Sequence, residues 1–314
     1  MNATITLTRA ATLKPKPRDS DLTFGVVFTD HMVTIPYQEG QGWGETRIEP
    51  YGPFSLDPAA AVLHYAQTVF DGLKAFRGQD GVVRLFRPHQ HVERLRRSAT
   101  RLCMPALDAD RVMDALLSLL EIEQEWVPST PGTALYIRPV IIATEPFLGV
   151  RPARSYLFYI ILSPVGSYYP GGLEPLRILV SDRYVRAVDG GVGDAKTGGN
   201  YAASLLAAEE AHAAGYAQVL WLDGVQRRYL DEVGTMNIML RIGESATRSS
   251  RPRSAEPSYP VSRATRLSRS CASGGCGSPN ARSPSTKLSR RRRAGNCARS
   301  GARVRRRWCR PSAS

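Results

Sequence analysis

Apolar residues recur at two spacings along the first 240 residues, and the alternation between them organises the chain. Strand-type runs at 24–28 and 32–37 flank Thr29-Asp30-His31 and predict a hairpin, and further strands fall at 82–86, 135–143 and 156–162. Between them, Val92, Leu95, Ala99 and Leu102 follow Pro88 at helical spacing, and 112–120 gives a second amphipathic helix. Asp57-Pro58 opens a short helical stretch through Tyr65, with proline where a missing N–H costs nothing. Gly40 to Gly44 is a turn.

The pattern then restarts. Pro164-Val-Gly-Ser-Tyr-Tyr-Pro-Gly-Gly172 is a natural linker, followed by a strand at 176–180. Asn200 is placed to cap a helix running through Ala214 and stopped by Gly215, with strands at 218–222 and 237–240. The alternation predicts an α/β (α+β) fold of two domains with a cleft between them. The boundaries are a smaller domain over 1–163, a linker at 164–175, the start of a second domain over 176–242, and a tail over 243–314.

Charge changes the picture only beyond residue 240. Residues 1–240 carry 23 Lys and Arg against 26 Asp and Glu, a net charge of −3, whereas residues 241–314 carry 19 against 2, a net of +17. The basic balance of the whole chain therefore says nothing about nucleic-acid binding by the body. Four of the five cysteines lie in the tail and only Cys103 in the body, which points to a reducing compartment. No signal pattern opens the chain and no apolar run reaches the roughly 20 residues of a membrane span, so a cytoplasmic protein off the membrane is expected.

Candidate chemistry centres on Gly193-Asp-Ala-Lys-Thr-Gly-Gly-Asn-Tyr201, a lone lysine on a glycine-flanked loop ahead of a helix. Such a lysine can be delivered to a carbonyl carbon and released again as a free amine. Around it stand Tyr65-Ala-Gln-Thr-Val-Phe-Asp-Gly-Leu-Lys-Ala-Phe76, Val83-Arg-Leu-Phe-Arg-Pro88, the run from Arg94 to Pro105, Leu135-Tyr-Ile-Arg-Pro139, and the stretch from Val219 to Ile238. His89-Gln-His91 has no partner cluster for a metal and reads as surface.

In that order, these segments resemble the branched-chain amino-acid aminotransferases, members of the fold-type-IV pyridoxal-phosphate enzymes. The resemblance covers the chain from about Phe24 to Leu240. It implies transfer of the amino group of leucine, isoleucine or valine to 2-oxoglutarate, giving glutamate, through a Schiff base between pyridoxal 5′-phosphate and Lys196. It also implies that Tyr201 contacts the ring hydroxyl, Arg94 the phosphate, and Glu232 the ring nitrogen. By residue type alone Asp231 is as good a candidate for that nitrogen as Glu232. Tyr65, Phe70, Tyr136 and Tyr168 match the substrate pocket, and Arg138 matches a residue serving the carboxylate of the acidic partner substrate. A homodimer is implied as well. A D-amino-acid transaminase or an aminodeoxychorismate lyase on the same fold is the closest alternative, but the Tyr136/Arg138 pair and Val219-Leu-Trp-Leu-Asp-Gly224 favour the branched-chain group.

The tail departs from that family. Its Arg/Ser-rich composition cannot bury a core and predicts disorder. Pro257-Ser-Tyr-Pro-Val-Ser-Arg-Ala-Thr-Arg266 can be back-translated so that the frame one nucleotide earlier encodes ILPGITRDS, and the stretch from Arg299 to Cys309 likewise yields EVWGAGTAAVV. Both resemble the family's missing phosphate-binding motifs, in family order. The tail thus reads as a frame-shifted C-terminus, with the slip shortly after Gly243. A chain translated this way is expected to bind the cofactor weakly and to be close to inactive. A basic nucleic-acid-binding chimera is disfavoured, because neither aromatic interleaving nor helical periodicity accompanies the charge.

Overall fold

The computed structural model describes residues 4–166, 174–241 and 249–250. Residues 1–173 and 194–202 form one compact unit; residues 174–193 and those from 203 onward form another.

The first unit is built on an extended sheet whose described strands run β1 (Ile5–Leu7), β2 (His31–Gln38), β3 (Gly42–Trp43), β4 (Thr46–Pro50), β5 (Thr68–Phe70), β6 (Leu73–Arg77), β7 (Val83–Leu85), β8 (Ala134–Ala143) and β9 (Ser155–Val165). Their spatial order is β1-β4-β2-β9-β8-β6-β7, with β3 on β2 and β5 on β8. All of these pairs are antiparallel except β1 with β4. The helices are α1 (Ala61–Tyr65), α2 (Pro88–Arg101) and α3 (Ala109–Ile122). Pro88 sits in the first turn of α2, and the Asp108 carboxylate caps α3 by accepting from the Asp110 and Arg111 N–H groups.

Burial alternates along β9: Tyr156, Phe158, Ile160 and Leu162 are inside, and the residues between them are half-buried. The dry face packs with Leu95 and Ala99 of α2 and with Val112, Leu116 and Leu119 of α3 in one core cluster. Cross-strand register puts Arg138 opposite Ile161, Val140 opposite Tyr159, and Phe70 opposite Val140. Phe70, Tyr136 and Arg138 therefore share the other, half-open face.

The predicted hairpin at 24–37 does not form. The second strand exists, but β2 already pairs with β4 on one edge and β9 on the other, leaving residues 24–28 no edge to join. The helix predicted from Asp57-Pro58 begins later, at Ala61, because Ala60 N–H closes a turn onto the Asp57 carbonyl.

In the second unit, β10 (Ile178–Val180) pairs in parallel with β11 (Gln218–Leu222), which pairs antiparallel with β12 (Leu230–Val233). The helix predicted from Asn200 to Ala214 is two helices, α4 (Gly198–Ala202) and α5 (Leu205–Ala213). Asn200 lies inside α4, where its buried side-chain amide donates to the Ala195 carbonyl, so it is not the cap. Ala207 and Ala211 of α5 pack on Val219 and Trp221. Gly215, at φ +76°, ends the helix as expected. The sequence pattern missed β12, whose run Leu-Asp-Glu-Val hides its period behind two acids. The strand predicted at 237–240 is reduced to a short one at Leu240–Arg241.

Candidate active site

Lys196 is held by its own backbone. Its N–H donates to Ser98 Oγ at 3.0 Å, and its carbonyl accepts from Phe70 N–H at 3.0 Å. Thr197 Oγ1 donates to the Thr68 carbonyl at 2.8 Å, and Thr197 forms an isolated bridge with Val69. The lysine loop is thus stitched to β5 on one side and to α2 on the other. Ser98 is itself oriented by donating to the Arg94 carbonyl at 3.0 Å. Gly198 lets the loop pass, since a Cβ there would sit 3.0 Å from Thr68 Cγ2.

The side chain of Lys196 points into aromatic company. Its ammonium donates to Tyr201 Oη and lies 4.9 Å from the Phe70 ring centroid. Phe70 and Tyr201 rings are themselves 4.9 Å apart. Tyr201 lies five positions after Lys196, and the single turn of α4 brings them together.

On the same open face, Arg138 donates to Tyr136 Oη from Nη2 at 2.9 Å and from Nε at 3.3 Å. Its guanidinium carbon lies 4.6 Å from the Phe70 centroid. Phe24 packs edge-on against Tyr136 at 5.0 Å. A Cβ at Gly72 would overlap Tyr136 Oη, so glycine is what admits the phenol. Tyr65 ends α1 half-exposed and donates to the Leu148 carbonyl. Tyr168 lies outside the described residues.

Arg94 is buried on α2 and forks onto Asp71, with Nε and Nη2 each 2.6 Å from a carboxylate oxygen. Asp71 also accepts from His91 Nδ1 at 2.9 Å and Gly72 N–H at 2.6 Å. His91 is therefore not a surface histidine, as its sequence context indicated, but part of a buried charge cluster. Burial alone would raise the Asp71 carboxyl; the His91 and Arg94 hydrogen bonds and charges outweigh it and hold the group below the usual carboxylate range. Asp71 and His91 were not legible as a pair, because only the fold brings β5's end beside α2. Among the described residues no group of three or more His, Cys, Asp and Glu could hold a metal ion.

In the second unit, Glu232 on β12 is buried opposite Trp221 and its Oε2 lies 2.9 Å from Arg186 Nε. Asp231, the alternative by residue type, points to the other side of the strand. Burial pushes its carboxyl up, the Arg186 charge opposes that, and the Asp223 and Asp189 charges add to it.

The first unit holds an amine with a phenol beside it and a buried guanidinium on the adjoining helix, donor types that suit pyridoxal phosphate; the second unit, by itself, holds a buried carboxylate paired with Arg186. Residues 68–249 match the class IV amino-transferase family. The chain belongs to that class of enzymes. Within it, the chain is 55% identical over 249 residues to branched-chain-amino-acid transaminase 1 of Bacillus subtilis and 53% identical over 245 residues to branched-chain-amino-acid aminotransferase 2 of the same organism. These alignments cover 79% and 78% of this chain and 70% and 68% of those proteins.

The fold agrees with that of solved branched-chain aminotransferases. The Thermoproteus uzoniensis enzyme, crystallised with norvaline, superposes with a TM-score of 0.62 at 23% identity, covering 77% of this chain and 76% of that one. The Escherichia coli enzyme gives 0.59 at 23% identity, over 77% and 74%. No helix among the described residues is long and apolar enough to cross a membrane.

Proposed function

We propose that Lys196 is the residue that holds the cofactor and moves the proton in a transamination between leucine, isoleucine or valine and 2-oxoglutarate. The observation that carries this is the Lys196–Tyr201 hydrogen bond beside the Phe70 ring, on a loop whose backbone is fixed by Ser98 and Phe70. Bound pyridoxal phosphate supplies an aldehyde carbon and an electron-withdrawing ring. Lys196 Nζ would hold that aldehyde carbon, and as a free amine it would move a proton at the substrate Cα. Tyr201 Oη orients Nζ and the ring hydroxyl. Arg94 serves the phosphate, with Asp71 fixing its guanidinium plane, and Glu232 serves the ring nitrogen. Arg138, braced by Tyr136, meets a substrate carboxylate, while Phe70 and Tyr65 line the path of the aliphatic side chain. Transfer of label from 15N-leucine to glutamate, dependent on added 2-oxoglutarate, tests this reading; label appearing only with another keto acid would replace the acceptor.

Tyr201→Phe removes the phenol and keeps the ring. A hydrogen bond to a charged group contributes about 1.5–3 kcal/mol, so kcat is expected to fall roughly 10- to 100-fold while the protein's melting temperature stays within a few degrees. Steady-state kinetics beside a thermal melt would check it.

We further propose a homodimer in a reducing, cytoplasmic compartment. Leu148, whose carbonyl accepts from Tyr65, is exposed, as are Leu63 and Val150, and exposed apolar side chains are what a second copy would cover. Sedimentation velocity on the purified chain tests the assembly.

The tail over 243–314, expected from the sequence to be disordered and frame-shifted, lies outside the described residues apart from Ser249–Ser250. The family match ends at residue 249, close to the slip inferred from the two hidden motifs. The reading expects DNA sequencing across the codons for Met236 to Arg266 to uncover a one-nucleotide insertion or deletion. It also expects the frame-restored chain to turn over far faster than the chain as it stands. An unaltered gene whose other frame lacks the motifs would refute it.

A further inference from the structure

Glu232 and Arg186 form a buried ion pair in the second unit, with each side chain 2% exposed and Nε 2.9 Å from Oε2. Only the acidic member of this pair stands out in the sequence. A surface pair of this kind would contribute little, but a buried pair is strongly coupled and neither partner tolerates loss of the other.

We infer that Arg186 is a positioning residue for transamination, holding Glu232 as a carboxylate so that the proton it shares with the cofactor's ring nitrogen resides on the nitrogen. The inference rests on the reading of Glu232 as the partner of that nitrogen. One proton serves two sites there. Either Glu232 is a neutral acid donating to an uncharged nitrogen, or Glu232 is a carboxylate accepting from a protonated one, and no proton is gained or lost between the two states. Burial favours the first, because it carries no separated charge. A guanidinium nitrogen 2.9 Å from the carboxylate oxygen favours the second, and its attraction is larger in a poorly solvated interior than in water. The register of β12 against β11 sets Glu232 opposite Trp221, and both members of the pair are buried. A ring that keeps its proton is the stronger electron sink.

The test uses the full-length chain saturated with pyridoxal phosphate labelled with 15N in the ring, and reads the nitrogen shift at pH 7. The wild type and Arg186→Lys, which keeps the charge, are expected in the protonated range. Arg186→Met and Glu232→Gln are expected to move toward neutral pyridine. Loss of the supporting group should also lower kcat by about tenfold or more in Arg186→Met while KM changes little. A shift that moves in Glu232→Gln but not in Arg186→Met would overturn the role of Arg186 and leave Glu232 in its own. Shifts that move in neither variant would overturn the underlying reading of the site. Should Arg186→Met fail to fold by circular dichroism, Arg186→Gln takes its place, and retention of the protonated shift there contradicts the inference equally.

Discussion

In the frame-restored chain, replacing Lys196 by alanine is expected to lower leucine transamination by about 10⁴-fold or more, since it removes both a covalent contact and the group that moves the proton. The fold should be indifferent to the change. The interactions that hold the loop in place are made by the Lys196 backbone with Ser98 and Phe70 and by Thr197 with Thr68, and alanine keeps all of them. The side chain is only half-buried and reaches into the open aromatic face, so removing it leaves no large void in the core. A thermal melt of the apo variant close to that of the wild type, together with the collapse of turnover, would separate chemistry from structure. Comparable losses in both would place Lys196 among the stabilising residues instead. Tyr201→Phe should retain far more activity than Lys196→Ala, because the phenol only orients what the amine performs.

Asp71→Asn is expected to be the most damaging single substitution for stability near the site. It deletes the charge opposite Arg94, a guanidinium buried on α2, and breaking a buried pair from one side costs about 3–5 kcal/mol. For a unit of this size that corresponds to a melting temperature lower by roughly 10 °C. The pH dependence has a definite sign. The Asp71 carboxyl is held below its ordinary value in the folded protein, so its contribution is present at and above the normal carboxylate range and is lost as pH falls through the depressed folded value. Wild type and variant should therefore differ most near neutrality and converge in acid. Chemical denaturation at neutral pH and in acid checks this, and a difference that grows on acidification would contradict it. Arg94→Met with Asp71→Asn should recover part of the loss, as removing both partners avoids the lone buried charge.

Much of this arrangement was legible along the chain. The helical spacing of Val92, Leu95 and Ala99 places the buried face of α2, and the alternation in 156–162 places β9. Lys196 and Tyr201 stand out from residue type and glycine context, and the turn of α4 delivers one to the other. What the sequence hid depends on long-range pairing. Nothing local shows that β2 has both edges occupied, which is why a hairpin at 24–37 is a reasonable but mistaken expectation. Asp71 and His91 lie 20 residues apart and meet only because β5 ends where α2 begins its buried face. Arg186 is one arginine among many until β12, itself obscured by the acids it carries, brings Glu232 against it. The choice between Asp231 and Glu232 illustrates the same limit: strand period decides which carboxylate faces Arg186, and the strand was not visible.

The most direct measurement is to incubate the full-length chain with pyridoxal phosphate, reduce it with borohydride, digest it and locate the pyridoxyl group by mass spectrometry. The account predicts one modified residue, Lys196, with the label absent from the Lys196→Ala chain. Label on Lys74 or another lysine in preference to Lys196, or equal labelling of the alanine variant, would contradict it.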